Sequence, residues 1–113
     1  MKTIIIKELG IEVTKPKVWN KPYNRIKIPK GFRLIKVWEL WFILDGSKYL
    51  HEFLGKFKGI YNWFWCEQTT YGKKYNYASW LCVVRNLSLD SGGQNLASSD
   101  KYGRVVFVKE KKE

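Results

Sequence analysis

Two cysteines, Cys66 and Cys82, and a single histidine, His51, are the residues in this sequence best suited to metal or nucleophile chemistry. A zinc site needs several donors at set spacing, and two cysteines with one remote histidine do not supply them. A cysteine nucleophile needs a neighbouring base to become a thiolate, and none is evident beside Cys66 or Cys82. His51 falls off the apolar face of the helix that carries it and is assigned no role. The expectation is a protein with no catalytic residues, no metal and no cofactor, hence not an enzyme.

What remains is the chemistry of binding. Residues 1–36 hold ten Lys or Arg against two Glu, whereas residues 37–113 hold eleven against eight acidic residues. A basic first third attracts polyanions. In a nucleic-acid reading Lys15, Lys17, Lys21, Arg25 and Lys27 meet phosphates while Trp19 or Tyr23 stacks on bases. No helix-turn-helix, zinc-finger or RNA-recognition signature accompanies them, and lysines on exposed strands also serve solubility and edge protection.

The elements that must position these residues are legible in part. Val37, Leu40, Trp41 and Leu44 fall at helical spacing, so a helix follows the Pro29–Gly31 turn and buries that stripe. Ser47 then caps a second helix from Lys48 to about Phe57, with Leu50, Phe53, Leu54 and Phe57 on one face. Thr3–Lys7 and Ile11–Val13 are β-branched runs on either side of a turn at Gly10, read as one short hairpin or two edge strands, and Arg25–Ile28 alternates with the period of a strand. Trp63–Gln68 and Ser79–Arg85 predict a hairpin whose long tip is Thr69–Ala78. Symmetry about Lys74 pairs Phe64 with Val84, Cys66 with Cys82, Gln68 with Trp80, Trp63 with Arg85 and Trp65 with Val83. That register allows a disulfide, although the lack of a secretion signal favours free thiols. Asp90–Gly93 and Ser98–Lys101 are expected as turns around a short strand at Gln94–Ala97, and Arg104–Lys109 as a buried strand, with Lys111–Glu113 fraying beyond it.

At 113 residues the chain is expected to form one domain. That length buries roughly 65% of the unfolded chain's surface. Its 45% hydrophobic content, with six Trp, places the net charge of +11 on a folded body rather than a disordered one. Met1–Ile6 is too short an apolar run for a cleaved signal. No apolar run approaches the ~20 residues of a membrane helix, so membrane insertion is not expected. The expected setting is the cytoplasm or a larger particle, where the sequon Asn86-Leu87-Ser88 has little meaning. Small size and richness in Lys, Ile and aromatics are also compatible with a viral structural subunit or a thermophile protein, and oligomeric state is left open.

One stretch carries a family resemblance. Ile28-Pro29-Lys30-Gly31-Phe32-Arg33-Leu34-Ile35-Lys36-Val37-Trp38-Glu39-Leu40 follows the pattern Leu-Pro-x-Gly-Trp-Arg-Leu-Pro-Thr-x-x-Glu-Leu. Trp63-Phe64-Trp65-Cys66, Ala78-Ser79-Trp80, Gly92-Gly93 and Arg104-Val105-Val106-Phe107-Val108-Lys109 match later segments of the same family. Over residues 28–109 the chain thus resembles the C-type lectin-like fold. It is most similar to the small bacterial domain that ends certain collagen-like adhesins, a relative of the formylglycine-generating (sulfatase-modifying) enzymes. Ile35 replaces the second proline, Val106 replaces a central arginine, and residues 1–27 are an unmatched basic extension.

The resemblance implies an α+β fold with two helices on small antiparallel sheets, long loops and terminal strands close together. It does not extend to formylglycine chemistry, because Cys66 and Cys82 lie in separate strands, nor to calcium, because the sugar-binding signature of true lectins is absent. It implies a non-enzymatic module that meets a glycan or protein surface through the loops Thr69–Ala78 and Asn86–Tyr102. The candidate contacts are Tyr71, Lys73, Lys74, Tyr75, Tyr77, Asp90, Asn95 and Tyr102, whose rings and charges suit flat amphipathic surfaces.

Overall fold

The computed structural model describes residues 2–83 and 88–111. In chain order its elements are β1 (Thr3–Ile6), β2 (Ile11–Thr14), β3 (Lys17–Val18), β4 (Arg33–Leu34), α1 (Val37–Leu44), α2 (Leu50–Leu54), β5 (Asn62–Cys66), α3 (Thr70–Tyr75), β6 (Tyr77–Val83), β7 (Leu89–Asn95), β8 (Gly103–Val105) and β9 (Phe107–Glu110). They form a four-stranded sheet in the order β1-β2-β9-β4 and a five-stranded sheet in the order β3-β8-β5-β6-β7. Pairing is antiparallel except between β5 and β8. The molecule is a compact α+β body with a Cα radius of gyration of 13.2 Å. No helix among the described residues is long and apolar enough to cross a membrane.

The β-branched run at the start folds as expected: β1 and β2 form a hairpin with Ile6 opposite Ile11, closed by a left-handed Gly10. This hairpin is part of the body, because Ile4, Ile6, Ile11 and Val13 enter the main core and Ile11 pairs with Glu110 of β9. The first and last strands of the chain therefore share one sheet, with β2 between them. The strand expected over Arg104–Lys109 divides at Val106: β8 belongs to one sheet and β9 to the other, so this segment ties the sheets together.

Helix α1 follows the Pro29–Gly31 turn as predicted, but its buried stripe is Glu39, Leu40, Ile43 and Leu44, and Trp41 faces solvent. The correction has an electrostatic cause. Arg33, at the end of β4, holds the Glu39 carboxylate with two 2.8 Å hydrogen bonds, and the Lys36 amide donates to the same carboxylate at 2.9 Å. Drawing Glu39 inward turns the helix and rotates Trp38 and Trp41 outward. The second helix is shorter than expected and continues as a 3-10 turn at Gly55–Phe57, yet Leu50, Phe53, Leu54 and Phe57 are buried as predicted.

The hairpin of β5 and β6 is present, with a register three residues away from the expected one. Trp65 faces Trp80, Trp63 faces Cys82 and Cys66 faces Ser79. Alternation then puts Cys66 on the Phe64 face and Cys82 on the Trp63 face, and both thiols are free. The expected symmetry fails because the tip is not an open loop. Thr69 caps α3 by accepting the Gly72 amide at 3.0 Å, and Asn76 ends the helix at φ 60°. The pairings expected for Val84 and Arg85, the Asn86 sequon and the fraying of Lys112 and Glu113 lie outside the described residues.

Two further expectations are overturned. Arg25–Ile28 is not a strand; Tyr23–Arg25 is a 3-10 turn. Asp90–Gly93 is not a turn, and β7 runs through it. Gly92 lies opposite Trp80, and a Cβ there would come within 2.7 Å of the indole, so this glycine makes room for a ring rather than for a bend. On that side of the sheet Tyr23, Trp63, Trp65 and Trp80 form an aromatic cluster, with Trp63 and Trp80 stacked 4.1 Å apart. The other side packs Phe64, Cys66, Leu81 and Val83 into the main core with α1 and α2.

Candidate functional site

The eight residues of α1 include one formally charged side chain, Glu39, and that one is buried. The helix is thus apolar all round, and the rings it cannot bury emerge on the surface: Trp38 is 59% exposed and Trp41 37%. With Leu9, Val37 and Phe42 they line a shallow depression of about 570 Å³. Solvated rings in a contiguous patch mark interaction surfaces more often than isolated apolar residues do.

Helix α3 stands beside this patch. Its Thr69 cap and short span present Tyr71, 66% exposed, with Tyr75 4.6 Å away ring to ring and the Lys74 ammonium 5.4 Å from the Tyr75 ring. A second depression of about 280 Å³ lies between α3 and the β6–β7 ladder, bounded by Val37, Tyr71, Tyr77, Ser79 and Gly93. A third, of about 380 Å³, is bounded by Lys36, Val37, Trp38, Gln68 and Lys73. The three adjoin at Val37 and form one aromatic and basic face.

The residues expected to touch ligand divide between two ends of the sheet. Tyr71, Lys73, Lys74, Tyr75 and Tyr77 gather at α3, and Asn95 is beside Tyr77 in the ladder, where its Oδ1 accepts the Ala97 amide. Asp90 is five residues down β7, about 17 Å away at the usual strand rise, opposite Cys82, and its carboxylate accepts the Ser91 amide. Tyr102 lies at that far end too, edge-on to Tyr61 at 5.3 Å. The two segments expected as loops are a helix at Thr70–Tyr75 and, over Leu89–Asn95 of the later one, a strand. Trp38, Trp41 and Phe42 were missed, although their i, i+3, i+4 spacing is a second apolar stripe on the same helix.

In the basic segment Lys15, Lys17, Lys21, Arg25 and Lys27 are all exposed. The two aromatic partners expected to stack on bases are engaged elsewhere. Trp19 donates its indole N–H to the Pro22 carbonyl at 3.2 Å, and Tyr23 packs edge-on to Trp65 while donating its hydroxyl to the Cys66 carbonyl at 2.9 Å. Burial pushes the Tyr23 hydroxyl pKa up to about 12.

Elsewhere the polar groups serve the framework. Burial raises both thiols, and Cys66 is fully enclosed. Arg104, 5% exposed, donates to Asn62 Oδ1 at 3.0 Å and lies over the Phe57 ring at 4.3 Å. Among the described residues no group of three His, Cys, Asp or Glu is placed to hold a metal ion. No protein-family model matches the chain, and no curated protein or solved structure is detectably similar to it.

Proposed function

We propose that this chain is a non-enzymatic, C-type lectin-like binding module that recognises a protein or glycan surface, alone or within a larger assembly such as a virion. The recognition surface is the face shared by α1, α3 and the β6–β7 ladder. The observation that carries this reading is the convergence of three depressions at Val37, with Trp38, Trp41, Tyr71 and Tyr77 exposed around them. Trp and Tyr offer large, stiff, amphipathic contact area at little entropic cost. Lys36, Lys73 and Lys74 favour an acidic partner and speed its approach. The lectin-like assignment is supported by the pairing of β2 with β9 and by the Arg33–Glu39 ion pair, which links two positions of the motif that carries the resemblance.

The test is binding of the purified chain to an array of neutral and acidic glycans and to immobilised proteins. Trp38→Ala and Tyr71→Ala are each expected to weaken the selected interaction by about tenfold or more, as hot-spot rings do. Binding that survives both substitutions overturns the reading.

A second reading is favoured by the five exposed cations of the N-terminal segment, which would bind nucleic acid through phosphates. With Trp19 and Tyr23 engaged in packing, such binding would be indifferent to sequence. Retention on immobilised DNA should then fall steeply between about 50 and 200 mM salt, and retention that ignores salt removes this reading.

A further inference from the structure

Among the described residues, three of the four sheet edges are blunted. β3 and β4 are two residues each, β3 follows Pro16 and contains Lys17, and β1 is four residues between Lys2 and Lys7. Short edges, prolines and lysines are the ordinary means by which proteins keep sheets from pairing with one another. The fourth edge, β7, has none of these. It runs seven residues as Leu-Asp-Ser-Gly-Gly-Gln-Asn, free of Lys, Arg and Pro in a chain that holds 21 Lys and Arg. From Asp90 to Asn95 its residues are exposed. From Leu89 to Asn95 its backbone pairs with β6 on one side, and on the other side the Ser91 amide is met by its neighbour's carboxylate, Asp90 Oδ1, at 2.9 Å.

We propose that β7 is a dimerisation edge, pairing antiparallel with β7 of a second copy about a two-fold axis at Gly92 and joining two five-stranded sheets into one. The sequence is self-complementary in that register. Leu89 faces Asn95, Ser91 faces Gly93, and Asp90 faces Gln94, so the one charge in the strand meets an amide donor, twice, and never its own copy. Asp90 releases the Ser91 amide to the partner strand and takes the Gln94 amide instead. Self-complementarity selects a second copy as the occupant, and charge places the contact: two bodies of +11 repel over most of their surfaces, and β7 is a stretch where they can meet without opposing lysines. The two-fold axis stands perpendicular to the joined sheet, so the Tyr71–Tyr77 depressions of both copies open on the same side.

The test is sedimentation equilibrium of the full chain from about a micromolar to about a millimolar, with two substitutions at the exposed Gln94. Gln94→Lys sets a lysine opposite Asp90 of the other copy and is expected to tighten the dimer about three- to tenfold; Gln94→Glu sets like charges opposite and loosens it by a similar factor. Association through any other surface predicts the reverse order, because added lysine raises the repulsion between two basic bodies and added glutamate lowers it. Far-ultraviolet circular dichroism checks that both variants fold. A strictly monomeric wild type, a dimer insensitive to Gln94, or the reverse order overturns the proposal. None of these outcomes bears on Trp38 or Tyr71, so the binding face stands or falls separately.

Discussion

The Arg33–Glu39 pair decides how α1 sits, and its energetics follow from burial. Glu39 is 2% exposed, which by itself pushes its carboxyl pKa up; the Arg33 guanidinium and the Lys36 amide outweigh this and hold it below the ordinary value. A carboxyl with a depressed folded-state pKa contributes stability that is present above the unfolded value of about 4.3 and is lost as pH falls through the folded one. Arg33→Met leaves the carboxylate buried and unpaired and should cost about 3 kcal/mol at neutral pH. With burial then dominant, the folded-state value rises above the unfolded one and the sign reverses. Urea midpoints from neutral pH down to about 3 should fall for the wild type, most of it below about 4.3, and the gap to the variant should narrow. A gap that stays constant would show that Glu39 is not the group concerned.

At the scale of elements, α1 shows why helical spacing alone named the wrong stripe. Seven of its eight side chains are apolar, so several faces satisfy the same spacing, and only the fixed position of Arg33 selects among them. Ile43→Ala, at a site with no exposure, should therefore cost about 2–4 kcal/mol by leaving a cavity. Trp38→Ala, on the solvent side, should stay within about 0.5 kcal/mol. Chemical denaturation of the two variants checks the observed orientation, and equal costs would overturn it. The hairpin register failed for a related reason: pairing symmetry assumed an unstructured tip, and the Thr69 cap converts that tip into a helix, which consumes residues unequally on its two sides.

Across the whole molecule, the basic N-terminal third is bound into the fold rather than trailing from it. Trp19 donates its amide to the Gly103 carbonyl at 2.8 Å, Tyr23 to Ser98 at 3.1 Å and Asn24 to Leu96 at 3.0 Å, laying this segment over the tryptophan face of the larger sheet. A Cβ at Gly103 would collide with the Trp19 carbonyl oxygen and sit 2.9 Å from that of Asp100. Gly103→Ala should accordingly cost about 1–3 kcal/mol and loosen the segment, wetting Trp63, Trp65 and Trp80. A red shift in tryptophan emission with earlier proteolysis between Lys15 and Lys27 is the expected outcome; unchanged emission would place the close approach elsewhere.

The β-branched runs, the Pro29–Gly31 turn, two helices, an aromatic hairpin and a tyrosine-rich tip were readable from the chain by itself, because turn chemistry and local periodicity are properties of neighbours in sequence. Composition likewise determined a folded, basic body. The side of α1 that is buried, the pairing partner of each cysteine and the strand at Asp90–Gly93 belong to tertiary structure. Each depends on one distant group: Arg33 for Glu39, the α3 cap for the register, and the Trp80 ring for Gly92. The candidate site divides along the same line. Tyr71, Tyr75 and Tyr77 announced themselves as exposed loop aromatics, whereas Trp38 and Trp41 became surface only when a buried ion pair turned their helix over.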